Sequence, residues 1–403
     1  NITPKKMPKG GRVESVEPSH FDAGKAYIAV DRHLLGDSKP YIYKTTNYGK
    51  SWELISTTSN GIPADFTTKV VREDPVREGL LYAGTEYGIF VSFDDGKNWQ
   101  SFQQNLPVTP ITDIKIFRGD IVLSTMGRAF WILDNITALR DTNINKLGDS
   151  PVLFKPDNTI RYRYPKVRST AGAAQYPRTS VIIDYYLPKG NNSEIQLEIL
   201  DENKKVIASI VSDKKLIPKV KEEEDMNLSQ VFRYVDTKLE TKAGINRFRW
   251  DLRQKGAWSS NKKRSYKRGP LVAPGLYTAK LSIKGKSFEQ AFEIIIDPRI
   301  EKNGISKTDI ENQIEMQQKV IDLLSKARQL QAKLEKQKSP KATAILKQLK
   351  NDKGAYPQQM FNAQVAYLYY MISNADQKPG LEAKKRYKEL LNQFENIKQE
   401  LKK

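Results

Sequence analysis

The sequence has no cysteine and only two histidines in 403 residues. Without thiols there can be no disulfide, thiol nucleophile, zinc ribbon or iron–sulfur cluster, and two imidazoles leave little for a histidine-built metal centre. No cofactor or metal is therefore expected. Long apolar runs are missing as well: no stretch approaches the ~20 residues that a membrane-spanning helix needs. What remains is 38% hydrophobic and 28% charged, which is no composition for a wholly disordered chain. At ~100–200 residues per domain, the length predicts two to four domains. The chain opens at Asn1 without a signal peptide, which reads as a processed protein or a fragment.

The net charge of +20 is unevenly placed. Residues 1–150 hold 18 Lys and Arg against 18 Asp and Glu, residues 151–300 hold 29 against 17, and residues 301–403 hold 20 against 12. Texture changes at the same places. Segments such as AYIAV (26–30), YIYKT (41–45), TTKVV (67–71), LLYAGT (80–85), IFVSF (89–93), DIKIF (113–117) and IVLST (121–125) are β-branched or aromatic and short, so residues 1–150 read as all-β. Residues 151–299 remain strand-like, with SVIIDYYL (180–187), EIQLEILD (194–201), KVIASIV (205–211), INRFRWDL (245–252), LYTAKLSI (276–283) and SFEQAFEIII (287–296). Insertions at 213–229 and 253–270 interrupt them. Residues 300–403 are helical: Tyr387, Leu390, Phe394, Ile397 and Leu401 recur every three or four residues, and breaks at Ser339-Pro340, Tyr356-Pro357 and Lys378-Pro379-Gly380 imply at least three helices.

Two turns in the first region are copies. Thr45, Asn47, Gly49, Ser51 and Trp52 occupy the same relative places as Ser92, Asp94, Gly96, Asn98 and Trp99, and the tryptophans lie 47 residues apart. A repeat near 45 residues built from four strands is the period of a propeller blade. The pattern resembles the Asp box, or BNR repeat, of sialidases and sortilin-like propellers. That resemblance implies a turn capped by the Asp or Asn side chain, a left-handed glycine and a tryptophan wedged between blades. A third unit, Ile111 to Leu139, keeps the strands without a box. With the segments that follow, the chain resembles the C-terminal portion of bacterial sortilin-like or BNR glycosyl-hydrolase-like proteins. The fold implied is mainly β with an α-helical C-terminus: partial Asp-box blades over 1–150, an immunoglobulin or fibronectin III-like sandwich over 151–299, and a helical hairpin or bundle over 300–403. Three blades cannot close a ring, so the remaining blades are expected in the same precursor or in trans.

The resemblance implies an extracytoplasmic binding and scaffolding protein for a glycan or a protein or peptide ligand, with a glycoside hydrolase as the alternative. Hydrolysis would need two carboxyls across a cleft, or a tyrosine–glutamate pair beside arginines. Glu86 and Asp113 are the first acids to test; the competing reading makes them solvated rim charges. Tyr87, Arg128 and Trp131 are candidate binding residues. His20 and His33 lie beside turns and read as surface or packing residues. The loop 253–270 interleaves Arg253, Lys255, Lys262, Lys263, Arg264, Lys267 and Arg268 with Trp258 and Tyr266. Cations alternating with aromatics can bind nucleic acid, but no nucleic-acid-binding fold flanks them, so a solvated loop or a patch for an anionic glycan or acidic partner is favoured.

Overall fold

A computed structural model describes residues 2–144, 147–163, 179–190, 193–212, 238–261, 264–337, 339–351 and 358–402. The chain forms two compact units, 1–147 and 148–403.

The first unit is a succession of antiparallel meanders. Strands β1 (Arg12–Pro18), β2 (Ala26–Asp31), β3 (Tyr41–Thr45) and β4 (Glu53–Leu54) make one four-stranded sheet in chain order. Strands β5 (Thr68–Glu73), β6 (Leu81–Thr85), β7 (Ile89–Ser92) and β8 (Gln100–Ser101) repeat that order. Strands β9 (Ile111–Phe117), β10 (Asp120–Thr125) and β11 (Phe130–Leu133) make a three-stranded sheet. Tyr27, Ala29 and Ile42 of the first sheet pack with Val71, Leu81, Ala83 and Phe90 of the second; Val70, Tyr82 and Val91 of the second pack with Ile111, Ile114 and Ile121 of the third. Each sheet is thus buried on its neighbour, and β1, β5 and β9 run side by side.

A shared irregularity marks the three sheets as repeats even where the box is missing. One residue of each first strand is skipped by its partner: Glu14 between Val13 and Ser15, Lys69 between Thr68 and Val70, and Thr112 between Ile111 and Asp113. A bulge of this kind turns a side chain off the regular alternation. All three sit near the start of their strand, at the end of the sheets opposite the Asn47 and Asp94 turns.

In the second unit, β12 (Val152–Leu153), β14 (Val181–Leu187) and β17 (Gly244–Trp250) form one sheet in the order β12-β14-β17. The facing sheet holds β13 (Thr159–Arg161), β15 (Ile195–Leu200), β16 (Val206–Val211), β18 (Gly275–Ile283) and β19 (Lys286–Ile296), in the order β13-β19-β18-β15-β16. Ile183, Tyr185, Phe248 and Trp250 from one sheet and Leu197, Tyr277, Leu281 and Phe292 from the other close a single core. Strand β13 pairs with β19 in parallel, the one such pairing among the described strands. Helices follow: α1 (Pro298–Lys302), α2 (Lys307–Leu334), α3 (Pro340–Leu349), α4 (Phe361–Met371) and α5 (Leu381–Lys402). Helix α2 begins with a capping box in which Ser306 and Asp309 satisfy each other's backbone N–H. Met316, Val320, Leu323 and Leu324 of α2 meet Val365 and Leu368 of α4 and Leu390 and Phe394 of α5. Among the described residues, no helix is long and apolar enough to cross a membrane.

Candidate functional site

Because each sheet is a meander, its connections alternate between two ends. The turns at Asn47 and Asp94 mark one end. In the first, Gly49 N–H and Asn47 N–H donate to Thr45 Oγ1 (2.9 and 3.3 Å), Ser51 N–H donates to Asn47 Oδ1 (2.9 Å), and Asn47 Nδ2 donates to Ser51 Oγ (2.8 Å). In the second, Gly96 N–H donates to Ser92 Oγ (2.9 Å), Asn98 N–H to Asp94 Oδ1 (2.8 Å) and Asn98 Nδ2 to Asp94 Oδ2 (2.7 Å). Gly49 and Gly96 have φ of 79° and 85°, a region that costs a side-chain-bearing residue free energy. Trp99 is buried, and its indole N–H donates to Ile55 O (2.8 Å) in the preceding repeat. The Trp52 indole donates to Ile2 O (2.7 Å). Every one of these groups is consumed in holding turns and packing sheets.

A buried polar cluster lies at the same end. The single proton on Tyr27 Oη is within reach of both Glu73 Oε1 (3.2 Å) and Asp95 Oδ1, and Lys25 Nζ lies within salt-bridge reach of Glu73, Glu78 and Asp95. This is a tyrosine–glutamate pair of the type sialidase chemistry would use. Here Tyr27 and Glu73 are almost wholly inaccessible, at 0% and 1% exposure, and the cation beside them is a lysine. Burial, with the Asp95 and Glu73 carboxylates, pushes the phenol far above its ordinary pKa, so it remains a donor. The cluster ties the second box to the first sheet.

The opposite end carries a second, partly exposed polar group. The bulged Lys69 sends its ammonium to Asp31 Oδ2 (2.8 Å) at the end of β2 and to Glu86 Oε2 (3.3 Å) in the β6–β7 turn. Asp31 also accepts from His33 N–H (2.8 Å) and meets the His33 ring at Nδ1 (2.7 Å). Burial opposes ionisation of Asp31, yet the His33 backbone N–H, Lys69 and the His33 ring together hold its carboxyl below the usual range. Burial likewise works against the Lys69 ammonium, and Asp31 and Glu86 outweigh it, raising its pKa. The Asp31 contact occupies Nδ1 and leaves Nε2 on a half-exposed ring. Among the described residues no hydroxyl is hydrogen-bonded to that ring, so the pair lacks the nucleophile of a triad. Beside Glu86, the exposed Tyr87 ring packs on Phe66 at 4.8 Å between centroids, and Phe66 rests on Phe90 at 5.7 Å. The result is a row of charged and hydrogen-bonding groups next to a supported aromatic face.

Asp113 belongs to a second group. Arg72 Nη2 pairs with Asp113 Oδ1 (2.6 Å) and its Nη1 with Glu17 Oε2 (3.5 Å), so residues of β9, β5 and β1 meet on one guanidinium. Desolvation raises the Glu17 pKa against the pull of Arg72. Glu86 and Asp113 therefore engage different cations. Arg128 is exposed on the β10–β11 turn, where its N–H donates to Thr125 Oγ1 and its carbonyl accepts from the Trp131 indole (2.9 Å).

Loop 253–270 is a hairpin closed by Gln254 N–H to Pro270 O, Gly256 N–H to Tyr266 O and Tyr266 N–H to Ala257 O. It lies on the helices: Trp258 N–H donates to Ser325 Oγ (3.0 Å) and Tyr369 Oη to Arg268 O (2.9 Å). Lys255 stands over the Tyr266 ring at 4.0 Å, Trp258 is half-buried, and Arg264, Lys267 and Arg268 are exposed. Lys262 and Lys263, and the 213–229 insertion, lie outside the described residues. No group of three or more His, Asp or Glu placed to hold a metal occurs among the described residues.

Sequence reasoning missed Asp31, Lys69 and the orientation of His33. Asp31 and His33 two residues apart at a strand end are a faint signal, and the bulge that aims Lys69 is a property of strand pairing.

No protein-family model and no curated protein matches the chain. Among solved structures it is similar to a GH74 enzyme of Niastella koreensis (14% identity, TM-score 0.26, over 49% of this chain and 33% of that one). It is also similar to an ancestral GH74 enzyme (13% identity, TM-score 0.24, over 70% and 31%) and to a β-glucuronidase of Bifidobacterium dentium (16% identity, TM-score 0.15, over 28% and 13%). The chain spans no more than 33% of the length of any of these three proteins. Similarity of this extent leaves the functional argument to the site itself.

Proposed function

We propose that residues 1–150 are the terminal blades of an Asp-box propeller from a secreted or envelope-associated protein, and that the end of these blades opposite the Asn47 and Asp94 turns binds a glycan. The observation that carries the reading is the Asp31–His33–Lys69–Glu86 row beside the Phe66–Tyr87 aromatic pair. Sugars offer hydroxyls to a fixed row of donors and acceptors and a C–H face to an aromatic ring, and this end supplies both within a few residues. The remaining blades would come from the same precursor or in trans: among the described residues β11 has no fourth strand beside it, and Phe130 and Ile132 on it are exposed at 76% and 59%. Residues 151–299 and 300–403, read as an immunoglobulin-like sandwich and a helical bundle, would dock a partner. The exposed Arg264, Lys267 and Arg268 are the first place to seek an acidic one. Binding of immobilised oligosaccharides by the intact chain, weakened by Tyr87→Ala and Lys69→Met with unchanged circular dichroism, is the expected result.

A glycoside hydrolase is the second reading. It is favoured by two carboxyls that share Arg72: Glu17, whose pKa desolvation raises, and Asp113 on the other side of the guanidinium. Release of reducing sugar, abolished by Glu17→Gln and by Asp113→Asn, would favour it over simple binding.

A further inference from the structure

We propose that the basic hairpin 253–270 binds a polyuronic acid, a polysaccharide that carries carboxylates along its length. This names a chemical class for the acidic partner of the proposed function, and it rests on that reading only in taking the hairpin as a docking surface. The starting point is the sequence. Between Asp251 and Glu289 there is no acidic residue, and residues 253–270 hold Arg253, Lys255, Lys262, Lys263, Arg264, Lys267 and Arg268. A segment of one charge sign repels itself and favours an unfolded state unless its surroundings pin it.

Here the segment is pinned at its base and along one side. Arg253 pairs with Leu271 as an isolated bridge and Val272 N–H donates to Leu252 O (2.8 Å), which seats the hairpin on the sandwich core through Leu252, Leu271 and Val272. Gly256 and Gly269 let its two arms close: a Cβ on Gly256 would stand 2.0 Å from Lys267 O, and one on Gly269 2.2 Å from Gln254 O. Tyr266 and Arg268 have φ of 60° and 62°, a region in which non-glycine residues are uncommon and which the surrounding structure must hold. Toward the helices, Ala257 packs on the bundle core, Trp258 N–H donates to Ser325 Oγ (3.0 Å), and Arg328 Nη1 donates to Trp258 O (3.3 Å). The helix beneath thus adds a further cation. Lys255, Arg264, Lys267 and Arg268 are exposed. Among the described residues, neither Lys255 nor Lys267 has a carboxylate within ion-pair distance.

The chemistry of this surface selects the ligand. Exposed cations on a rigid hairpin with no acid among them attract a polyanion. Two of the four are arginines, whose planar fork matches a carboxylate bidentately. A protein partner would draw its affinity from an apolar anchor near the centre of the contact. The hairpin's own apolar groups serve that poorly, since Ala257 is packed on the helices and Trp258 is half-buried. A single-stranded nucleic acid would need open rings on which bases stack. Lys255 Nζ already stands over the Tyr266 ring at 4.0 Å. Charge without an anchor or a stacking platform suits an acidic polysaccharide, which presents many carboxylates and little apolar surface.

The test uses the full chain and immobilised polygalacturonate, with fully methyl-esterified polygalacturonate as the same polymer without its charge. The expected result is saturable binding to the charged polymer and none to the ester. Arg264→Glu combined with Lys267→Glu should weaken binding by ~10-fold or more, equivalent to ~1.4 kcal/mol. Arg264→Gln with Lys267→Gln, which removes charge without adding acid, should show a smaller loss, and it serves if thermal unfolding at 222 nm shows that the reversed variant does not fold. Raising the salt from ~0.05 to ~0.3 M should also weaken binding, because exposed charges are screened. Equal binding of the ester, or undiminished binding in the charge-altered variants, would overturn the proposal. Tighter binding of polyglutamate or of oligothymidylate, lost in the same variants, would assign the hairpin to an acidic protein or to a nucleic acid and overturn it too. The blade site is read with neutral oligosaccharides and with Lys69→Met and Tyr87→Ala, so either proposal can fail without the other.

Discussion

Asp376 offers the sharpest energetic test of how the second unit is held. The carboxylate is wholly buried and meets two cations: Arg161 Nη1 at 2.7 Å and Arg163 Nε at 2.8 Å. Arg161 is itself buried to 1% exposure, and its Nε donates to Val272 O (2.7 Å), while Arg163 also reaches Ser373 O. Strand β13, the loop before β18 and the segment after α4 are thereby fastened at one point. Replacing Asp376 with Asn keeps the shape but removes the only carboxylate that Arg161 touches among the described residues. Breaking a buried pair from one side costs about 3–5 kcal/mol, because a desolvated charge is left behind. With a urea slope of about 2–3 kcal/mol per M, the unfolding midpoint should fall by roughly 1–2.5 M. Ellipticity at 222 nm is the right probe, since the described α-helices all belong to residues 148–403. Arg161→Met combined with Asp376→Leu should recover most of the loss, because an apolar pair of similar volume carries no desolvation cost. A loss below ~1 kcal/mol in Asp376→Asn would refute the clamp, since that is the range of a solvent-screened pair.

Four further outcomes follow from the first unit. Asp94→Ala should cost about 1–2 kcal/mol by stranding the Asn98 amide and loosening the turn, whereas Asp94→Asn should cost less, as Asn47 already fills the equivalent place; urea unfolding compares them. Trp99→Ala should cost about 3–5 kcal/mol through the cavity between the sheets, and Trp99→Phe only ~1–2 kcal/mol, measured the same way. Asp31 and Asp94 are held below the usual carboxylate range when folded, so their contribution is present above the unfolded value near ~3.9 and disappears as pH falls through the folded value. Unfolding midpoints should be level from neutrality to about pH 5 and decline below pH 4, less steeply in Asp94→Asn. Phe130→Asp and Ile132→Lys should leave stability within ~0.5 kcal/mol and raise solubility, because both side chains stand exposed on β11.

Local chemistry was legible where it acts locally. The spacing of Thr45, Asn47, Gly49 and Trp52 against Ser92, Asp94, Gly96 and Trp99 announces two turns, and β-branched runs announce most strands. Helical periodicity placed Leu390, Phe394 and Ile397 inside, but it gives no sign of Gln313 and Gln317, which are both buried. Those glutamines are buried because Ile372 O needs donors at the end of α4, a demand that arises only in three dimensions. Asp376 sits in the loop sequence Ser373-Asn374-Ala375-Asp376, which reads as solvent-facing until Arg161 arrives from a strand more than two hundred positions earlier. The group around Lys69 was hidden for the same reason: Lys69 reaches Asp31 and Glu86 because β5 bulges there, and pairing register is invisible in a single strand. The 253–270 loop was legible as basic but not as a hairpin lying on α2 and α4.

Calorimetric titration of the best oligosaccharide from an array probes the proposed glycan site at the end of the sheets opposite the Asn47 and Asp94 turns. Wild type and His33→Ala, Lys69→Met and Tyr87→Ala variants are compared at equal folded concentration. Saturable binding by wild type is expected, with Lys69→Met and Tyr87→Ala each weakened by ~10-fold or more. Undiminished affinity in both of those variants, or no oligosaccharide retained by wild type, would contradict it.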